Sequence, residues 1–217
     1  MRDLRRLWNE HRGKVESGEV ARVQGRSIHV DEDISKWLSQ EADAFLNAGT
    51  RALKKGMQGV AGVLGVNIGF LFQKQAAFEA GLATLAASDP ALAAYLRQAR
   101  TWSERLLDAR NAVEHEGWTL PRVTYGQAGD KIIATEPTIM GQPATEFAAF
   151  VFDRAACFVE DVTAHCLRQR LPALMALAEV PHAQRPDEKP ERFRLTLAIG
   201  GTKPWALVYH ASSFDET

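Results

Sequence analysis

Apolar residues recur at helical spacing in four long stretches of this chain, and this periodicity constrains its fold more than any other feature. The stretches cover residues 34–55, 69–87, 90–116 and 145–170. The third stretch shows the pattern most clearly, with one apolar stripe made of Ala99, Trp102, Leu106, Ala109 and Val113. Such stripes indicate amphipathic helices that bury one face. The sequence therefore predicts an all-α fold, a helical bundle of four to five main helices.

Signals for helix ends support these limits. Ser88-Asp89-Pro90 places a capping side chain and a proline where the third helix begins. Gly117 stands where that helix is expected to stop. A shorter amphipathic helix is predicted from Leu4 to Lys14, and Leu171 to Val180 are expected to extend the last helix beyond Pro172.

Short apolar segments around turn residues predict small β-hairpins as decorations of the helices. The segments are 20–23 with 27–30, 122–125 with 131–135, and 192–199 with 205–210. Three regions follow from this layout. Residues 1–32 form an N-terminal helix and hairpin, residues 33–180 form the helical bundle with a hairpin inserted near 122–135, and residues 181–217 form a linker and a C-terminal hairpin.

Composition excludes several classes of protein. The formal net charge of -1 provides no overall basic field, so any contact with nucleic acid must come from a local patch. The longest apolar run, Gly59 to Phe72, is shorter than the roughly 20 residues that span a bilayer. Met1 to Arg6 lack the apolar segment of a secretory signal. With Cys157 and Cys166 taken as two buried thiols in a reducing compartment, these features predict a cytoplasmic protein without a membrane anchor.

Five glycines recur every three or four residues, at positions 56, 59, 62, 65 and 69. This spacing matches neither a P-loop nor a dinucleotide-binding loop, and no strand precedes it. We interpret the run as a stretch between helices, or as a helix face that another helix approaches closely.

The end of the third helix carries the residues of greatest chemical interest, Arg110, Asn111 and His115. Arg110 projects within about 40° of the centre of the apolar stripe, where a guanidinium needs a partner or a cleft. Asn111 and His115 lie on nearly the opposite side. A structural role remains open, in which Arg110 pairs with Glu114 one turn on and His115 caps the last carbonyls of the helix.

The sequence Arg110-Asn111-Ala112-Val113-Glu114-His115 resembles the R-x4-6-H motif of the HEPN superfamily in its R-N-x-x-x-H form. The resemblance covers the motif and the helical layout from about residue 34 to 170. It implies a helical bundle that acts as a metal-independent endoribonuclease, with Arg110, Asn111 and His115 as catalytic residues and no cofactor or metal. Members of the family include toxins and antiviral effectors, so it also implies RNA as substrate and a cognate antitoxin or regulatory protein as partner.

Arg110 and His115 project about 140° apart on an ideal helix. Both can reach one phosphate only if the helix end unwinds or if two subunits share the site. The family resemblance implies the second arrangement, a homodimer with the site at its interface. Two alternatives remain open: a HEPN-like module that binds nucleotide or RNA without cutting it, and a helical scaffold without a site.

Other candidate residues carry weaker signals. His165 and Cys166 could suggest a metal site, but zinc spacing is absent and we expect packing roles. His11 and His29 are expected to be solvated. A set of basic residues could contact an RNA backbone or form solvated faces: Lys54, Lys55, Arg97, Arg100 and Arg105.

Overall fold

A computed structural model of the chain describes residues 2–64, 71, 74–172, 174–185 and 192–197. Most of the described residues are helical. The five α-helices in this part of the chain are α1 (Arg2–Glu16), α2 (Ser35–Leu64), α3 (Gln75–Ala86), α4 (Pro90–His115) and α5 (Ala144–Arg168). A short 3-10 helix covers His182–Gln184. In this same part of the chain, no helix is long and apolar enough to cross a bilayer.

Among the described residues, the strands are short and pair as antiparallel hairpins. They are β1 (Ala21–Gln24) with β2 (Ser27–Val30), β3 (Thr124–Ala128) with β4 (Lys131–Thr135), β5 (Thr138–Ile139) with β6 (Gln142–Pro143), and β7 (Met175–Glu179) with β8 (Phe193–Leu197). In the first two hairpins a glycine with positive φ opens a two-residue turn, Gly25 at 62° and Gly129 at 61°. The prediction of a mainly helical fold with small β decorations is confirmed.

Helix α4 begins and ends where the sequence signals place it. The Leu92 amide donates to Oδ1 of Asp89 at 2.9 Å, which satisfies an amide at the start of the helix. At the other end, Gly117 adopts a φ of +68°, and the Trp118 amide donates to the Ala112 carbonyl at 3.0 Å. Both signals therefore have the physical role that the sequence predicted.

The first predicted helix extends further than expected and includes part of the glycine run. Helix α2 continues past Lys55 to Leu64 and includes Gly56, Gly59 and Gly62. A Cβ at Gly56 would lie 3.4 Å from Cγ2 of Val159, so another helix does approach closely there. Helix α3 begins at Gln75 within the described residues. The start that the sequence predicted for this helix, residue 69, lies outside the described residues, as does Gly65 of the glycine run.

The predicted helical extension from Leu171 to Val180 is wrong. Helix α5 ends at Arg168, and residues 175–179 form β7 instead. Pro172 explains the change, because proline lacks an amide hydrogen and disfavours a helical conformation of the preceding residue. Strand β8 lies in the predicted segment 192–199 but pairs with β7. Its predicted partner, residues 205–210, lies outside the described residues.

The chain divides into two compact units. Unit 1 comprises Met1–Arg51 and Glu104–Asp153, and unit 2 comprises Ala52–Ser103 and Arg154–Thr217. In unit 1, a Cβ at Gly49 would lie 3.3 Å from Cδ2 of Leu106 and 3.8 Å from Cγ1 of Val151. The absence of a side chain at Gly49 therefore lets α2 pack closely against α4 and α5 within this unit.

Unit 2 has its own apolar core. Its fully buried large side chains come from α2 to α5 and the segment before α3, and include Leu53, Leu71, Phe78, Leu82, Leu92, Leu96 and Phe158. The rings of Trp102 and Phe158 meet edge to face, with centroids 6.1 Å apart. Aromatic contact thus joins α4 and α5 inside this unit.

The buried face of α1 includes a histidine. His11 is 2% exposed and lies at helical spacing with the buried side chains of Leu4, Trp8 and Val15, so the expectation that it is solvated is wrong. Its Nε2 lies 2.8 Å from the hydroxyl of Tyr125 on β3. Burial lowers the pKa of His11, although Glu32 opposes this shift. Burial also raises the pKa of Tyr125 to about 12.

The packing of β4 on α1 predicts unequal effects at two adjacent isoleucines. Ile132 is 7% exposed and Ile133 is 48% exposed, on opposite faces of the same strand. Because both changes remove the same side chain from one strand, their difference isolates burial. Ile132→Ala should lower the free energy of unfolding by about 2–3 kcal/mol, and Ile133→Ala by less than about 1 kcal/mol. Urea unfolding measures both; equal losses would contradict the packing.

The buried His11 predicts a loss of stability in mild acid. Its lowered pKa means that folding favours the neutral imidazole, and Nδ1 is buried with no hydrogen-bond partner among the described residues. The unfolded chain therefore takes up a proton first, at about pH 6.5. The contribution of neutral His11 to the free energy of unfolding is fully present above that pH. It is lost as the pH falls from there through the lower pKa of His11 in the folded protein.

Urea unfolding between about pH 7.5 and 5 tests this linkage. His11→Gln removes the titrating group, so its free energy of unfolding should decline less steeply over this window than that of the wild type. An unchanged slope in the variant would show that His11 does not control acid stability.

Candidate active site

The last two turns of α4 hold the motif residues in unit 1. Leu106 and Ala109 are buried, and this stripe fixes the rotation of the helix about its axis. Arg110 comes next in sequence and is consequently half-buried, whereas Asn111 and His115 are exposed. The sequence-based placement of these side chains agrees with the structure.

Arg110 is held by its neighbours on the same helix. Its Nη2 forms an ion pair with Oε2 of Glu114, one turn further on. Its Nη1 donates to Oδ1 of Asn111 at 3.3 Å. Its Nε is buried and has no hydrogen-bond partner among the described residues. The guanidinium is thus oriented by two side chains of the motif region, and its buried Nε donor remains without an acceptor.

His115 is exposed to solvent. Its side chain is 68% exposed, and its Nε2 lies 3.9 Å from Oε2 of Glu114. This is the same carboxylate oxygen that pairs with Arg110. Although the two side chains project well apart on an ideal helix, both approach one anion while α4 remains helical through His115. An imidazole can act as a general base and a guanidinium can stabilise negative charge, so the two groups together are chemically able to assist cleavage of a phosphodiester.

Glu114 was considered in the sequence only as a structural partner of Arg110. Its position beside both candidate catalytic groups was missed. A signal for it exists, because Glu114 stands four residues after Arg110 and directly before His115. That spacing lets one carboxylate meet both side chains.

Arg105 and Arg100 do not have the solvated positions that RNA contact would favour. Arg105 lies over the Phe147 and Phe150 rings, 5.8 and 5.5 Å from their centroids, and donates to Gln142 at 2.9 Å. In unit 2, Arg100 donates to the Leu71 carbonyl and lies over Phe78. Both guanidinium groups therefore have structural contacts.

His165 contacts an aspartate carboxylate inside unit 2. Its Nε2 lies 2.6 Å from Oδ2 of Asp89, and both side chains are mostly buried. The Asp89 carboxylate thus caps α4 through one oxygen and binds His165 through the other. Cys166 is buried as expected, and burial raises the pKa of its thiol, whereas Cys157 is only partly buried. Among the described residues, no three side chains of His, Cys, Asp or Glu form a metal-binding group.

A buried polar network in unit 2 gave no signal in the sequence. The Tyr95 hydroxyl donates to Oδ2 of Asp161 at 2.8 Å, and Nη2 of Arg192 lies 2.8 Å from Oδ1 of the same carboxylate. Burial, followed by the nearby Asp161 charge, raises the pKa of Tyr95 well above its ordinary value. The network joins α4, α5 and the residue before β8, and its partners compensate for the cost of burying charge.

Comparisons with protein-family models, curated proteins and solved structures gave no match for this chain. Membership of the HEPN superfamily therefore stays a prediction from the motif at Arg110, Asn111 and His115.

Proposed function

We propose that this protein is a metal-independent endoribonuclease of the HEPN type. The observation that carries the proposal is that the exposed His115 imidazole and the half-buried Arg110 guanidinium approach one carboxylate oxygen. A phosphodiester oxygen is also an anionic acceptor, so it can bind where that carboxylate binds. The proposed site thus requires no rearrangement of α4.

The chemistry follows from the two side chains. Neutral His115 takes the proton from the ribose 2′-hydroxyl, and the 2′-oxygen attacks the adjacent phosphorus. The bond between phosphorus and the 5′-oxygen breaks, the leaving 5′-oxygen takes a proton from water, and protonated His115 returns its proton to the solvent. The products are a 2′,3′-cyclic phosphate and a 5′-hydroxyl. No redox change occurs, and no metal is needed for the balance.

Arg110 stabilises the charge that builds on the phosphate during this attack. A guanidinium stays charged at any physiological pH and can donate to two oxygens at once. Asn111 supports it, because its Oδ1 accepts from Nη1 of Arg110 and orients the planar group. Asn111 is therefore a positioning residue in this proposal.

The biological setting is proposed from the same resemblance. The helices within residues 33–180 would form a HEPN-like bundle, and the protein would act on RNA in the cytoplasm as a toxin or antiviral effector. A cognate antitoxin or regulatory protein would restrain it. A homodimer, which the resemblance also implies, would place two copies of the α4 end in one cleft, although Arg110 and His115 of a single subunit already approach one anion.

One observation favours a second candidate function. Glu114 neutralises Arg110 from within the same helix, as in the structural role that the sequence left open. A motif whose arginine is already paired with a carboxylate is consistent with a module that binds RNA or a nucleotide weakly without cutting it. Cleavage distinguishes the two functions.

Replacement of His115 tests the catalytic role. His115→Ala should lower the cleavage rate of single-stranded RNA by about 10²–10⁴-fold, because the general base is lost. Assays in EDTA exclude contaminating metal-dependent nucleases. The matched control is His29→Ala, which removes another exposed imidazole of unit 1 and should cleave like the wild type. Equal activity of His115→Ala and the wild type would refute the proposed site.

Dilution tests the shared site. If both subunits contribute to each cleavage event, the activity per mole of chain should fall as dimers dissociate, in parallel with the dimer fraction from analytical ultracentrifugation. A monomer with full specific activity would contradict the dimeric site and leave the role of His115 intact.

A further inference from the structure

One oxygen of Glu114 lies beside both candidate catalytic groups. Oε2 forms the ion pair with Nη2 of Arg110 and lies 3.9 Å from Nε2 of His115. A non-bridging oxygen of a bound phosphodiester would need the same two neighbours. The resting protein therefore already holds an anion at the proposed phosphate position.

The Arg110–Glu114 ion pair is partly shielded from solvent. The side chains of Arg110 and Glu114 are only 30% and 32% exposed, whereas His115 is 68% exposed. A half-buried guanidinium is screened less by salt than an exposed one and needs an anion nearby. Glu114 satisfies that need when no substrate is present.

We propose that Glu114 competes with RNA phosphate for Arg110 and His115 and thereby determines the KM of the site. This inference rests on the proposed ribonuclease function and specifies how that site is regulated. RNA must displace the Glu114 carboxylate from the guanidinium before the 2′-hydroxyl is attacked. The carboxylate rotates away, and the phosphate takes its place beside Arg110.

Replacement by glutamine separates competition from a supporting role. Glutamine keeps the size of the side chain and removes its charge. Under competition, Glu114→Gln lowers KM and leaves kcat within about twofold of the wild type, because only the ground state of the free protein changes. If Glu114 instead orients His115 for proton transfer, the same variant lowers kcat.

Binding without cleavage gives a direct measurement. A fluorescent 2′-O-methyl oligoribonucleotide lacks the attacking hydroxyl, so its affinity is independent of catalysis. Fluorescence anisotropy should show that Glu114→Gln binds it about three- to fivefold more tightly than the wild type, the range expected when a half-exposed ion pair no longer competes.

Glu116→Gln is the matched control. It makes the same change in net charge at an exposed residue two positions further along the chain, just after α4. Its affinity for the probe should rise by less than about twofold, since only long-range repulsion is relieved. Equal gains for both variants would show that net charge alone acts, and would overturn the proposal. Weaker binding by Glu114→Gln would also overturn it.

A double substitution identifies the group for which Glu114 competes. In the background of Arg110→Ala, the change Glu114→Gln should give no gain in affinity beyond that of Glu116→Gln. Titration with inorganic phosphate, followed through the His115 ring resonances, supplies a second readout and should saturate at lower concentration in Glu114→Gln than in the wild type. An unchanged phosphate affinity would contradict the competition.

The outcomes separate this inference from the ribonuclease proposal. If Glu114→Gln tightens binding of the probe but the wild type and variant both fail to cut RNA, the competition stands and the ribonuclease proposal fails. If His115-dependent cleavage occurs but Glu114→Gln leaves KM and probe affinity unchanged, the ribonuclease stands and the competition fails.

Discussion

The buried stripe of α4 is the constraint on which the candidate site depends. Leu106 and Ala109 are removed from water, and this burial fixes which side of the helix faces the core. Once that rotation is fixed, Arg110 must lie at the edge of the core and His115 must point to solvent. Helix α4 ends at His115, and Gly117, two residues further on, adopts the positive φ that terminates it. Packing thus orients groups whose own polar contacts are few.

The helices were predictable from the sequence because apolar periodicity and caps are local signals. Asp89 and Gly117 bound α4 through their own backbone and side-chain chemistry. The hairpin of β5 and β6 was missed, since its turn places Met140 at a φ of 50° and methionine is not a typical residue there. The pairing of β7 with β8 was missed for another reason. The intervening segment separates the strands, and no local pattern specifies such a partner.

The candidate site was partly predictable. The motif identified Arg110, Asn111 and His115, and the stripe gave their approximate directions. An ideal helical projection gives each side chain only a radial direction from the helix axis, so it placed Arg110 and His115 about 140° apart. Long side chains near a helix end lean toward a shared neighbour, and Glu114 is that neighbour. For His11, the helical spacing with Leu4, Trp8 and Val15 already indicated burial. A polar residue that falls on an apolar stripe should therefore be predicted to be buried with it.

A carboxylate beside the Arg110 guanidinium and the His115 imidazole has a physical explanation that does not depend on the family resemblance. Burying half of a guanidinium without an anion is costly, and an anion supplied by the same helix loses little conformational freedom in reaching it. The binding free energy of a ligand anion at Arg110 is therefore only the difference between its own interaction with the guanidinium and the interaction of Glu114 that it replaces. Under the proposed competition, the internal carboxylate keeps Arg110 paired in the free protein and lowers the net affinity of the site for external phosphates. A site of this kind selects ligands that also reach His115, because Arg110 alone gives them little net advantage.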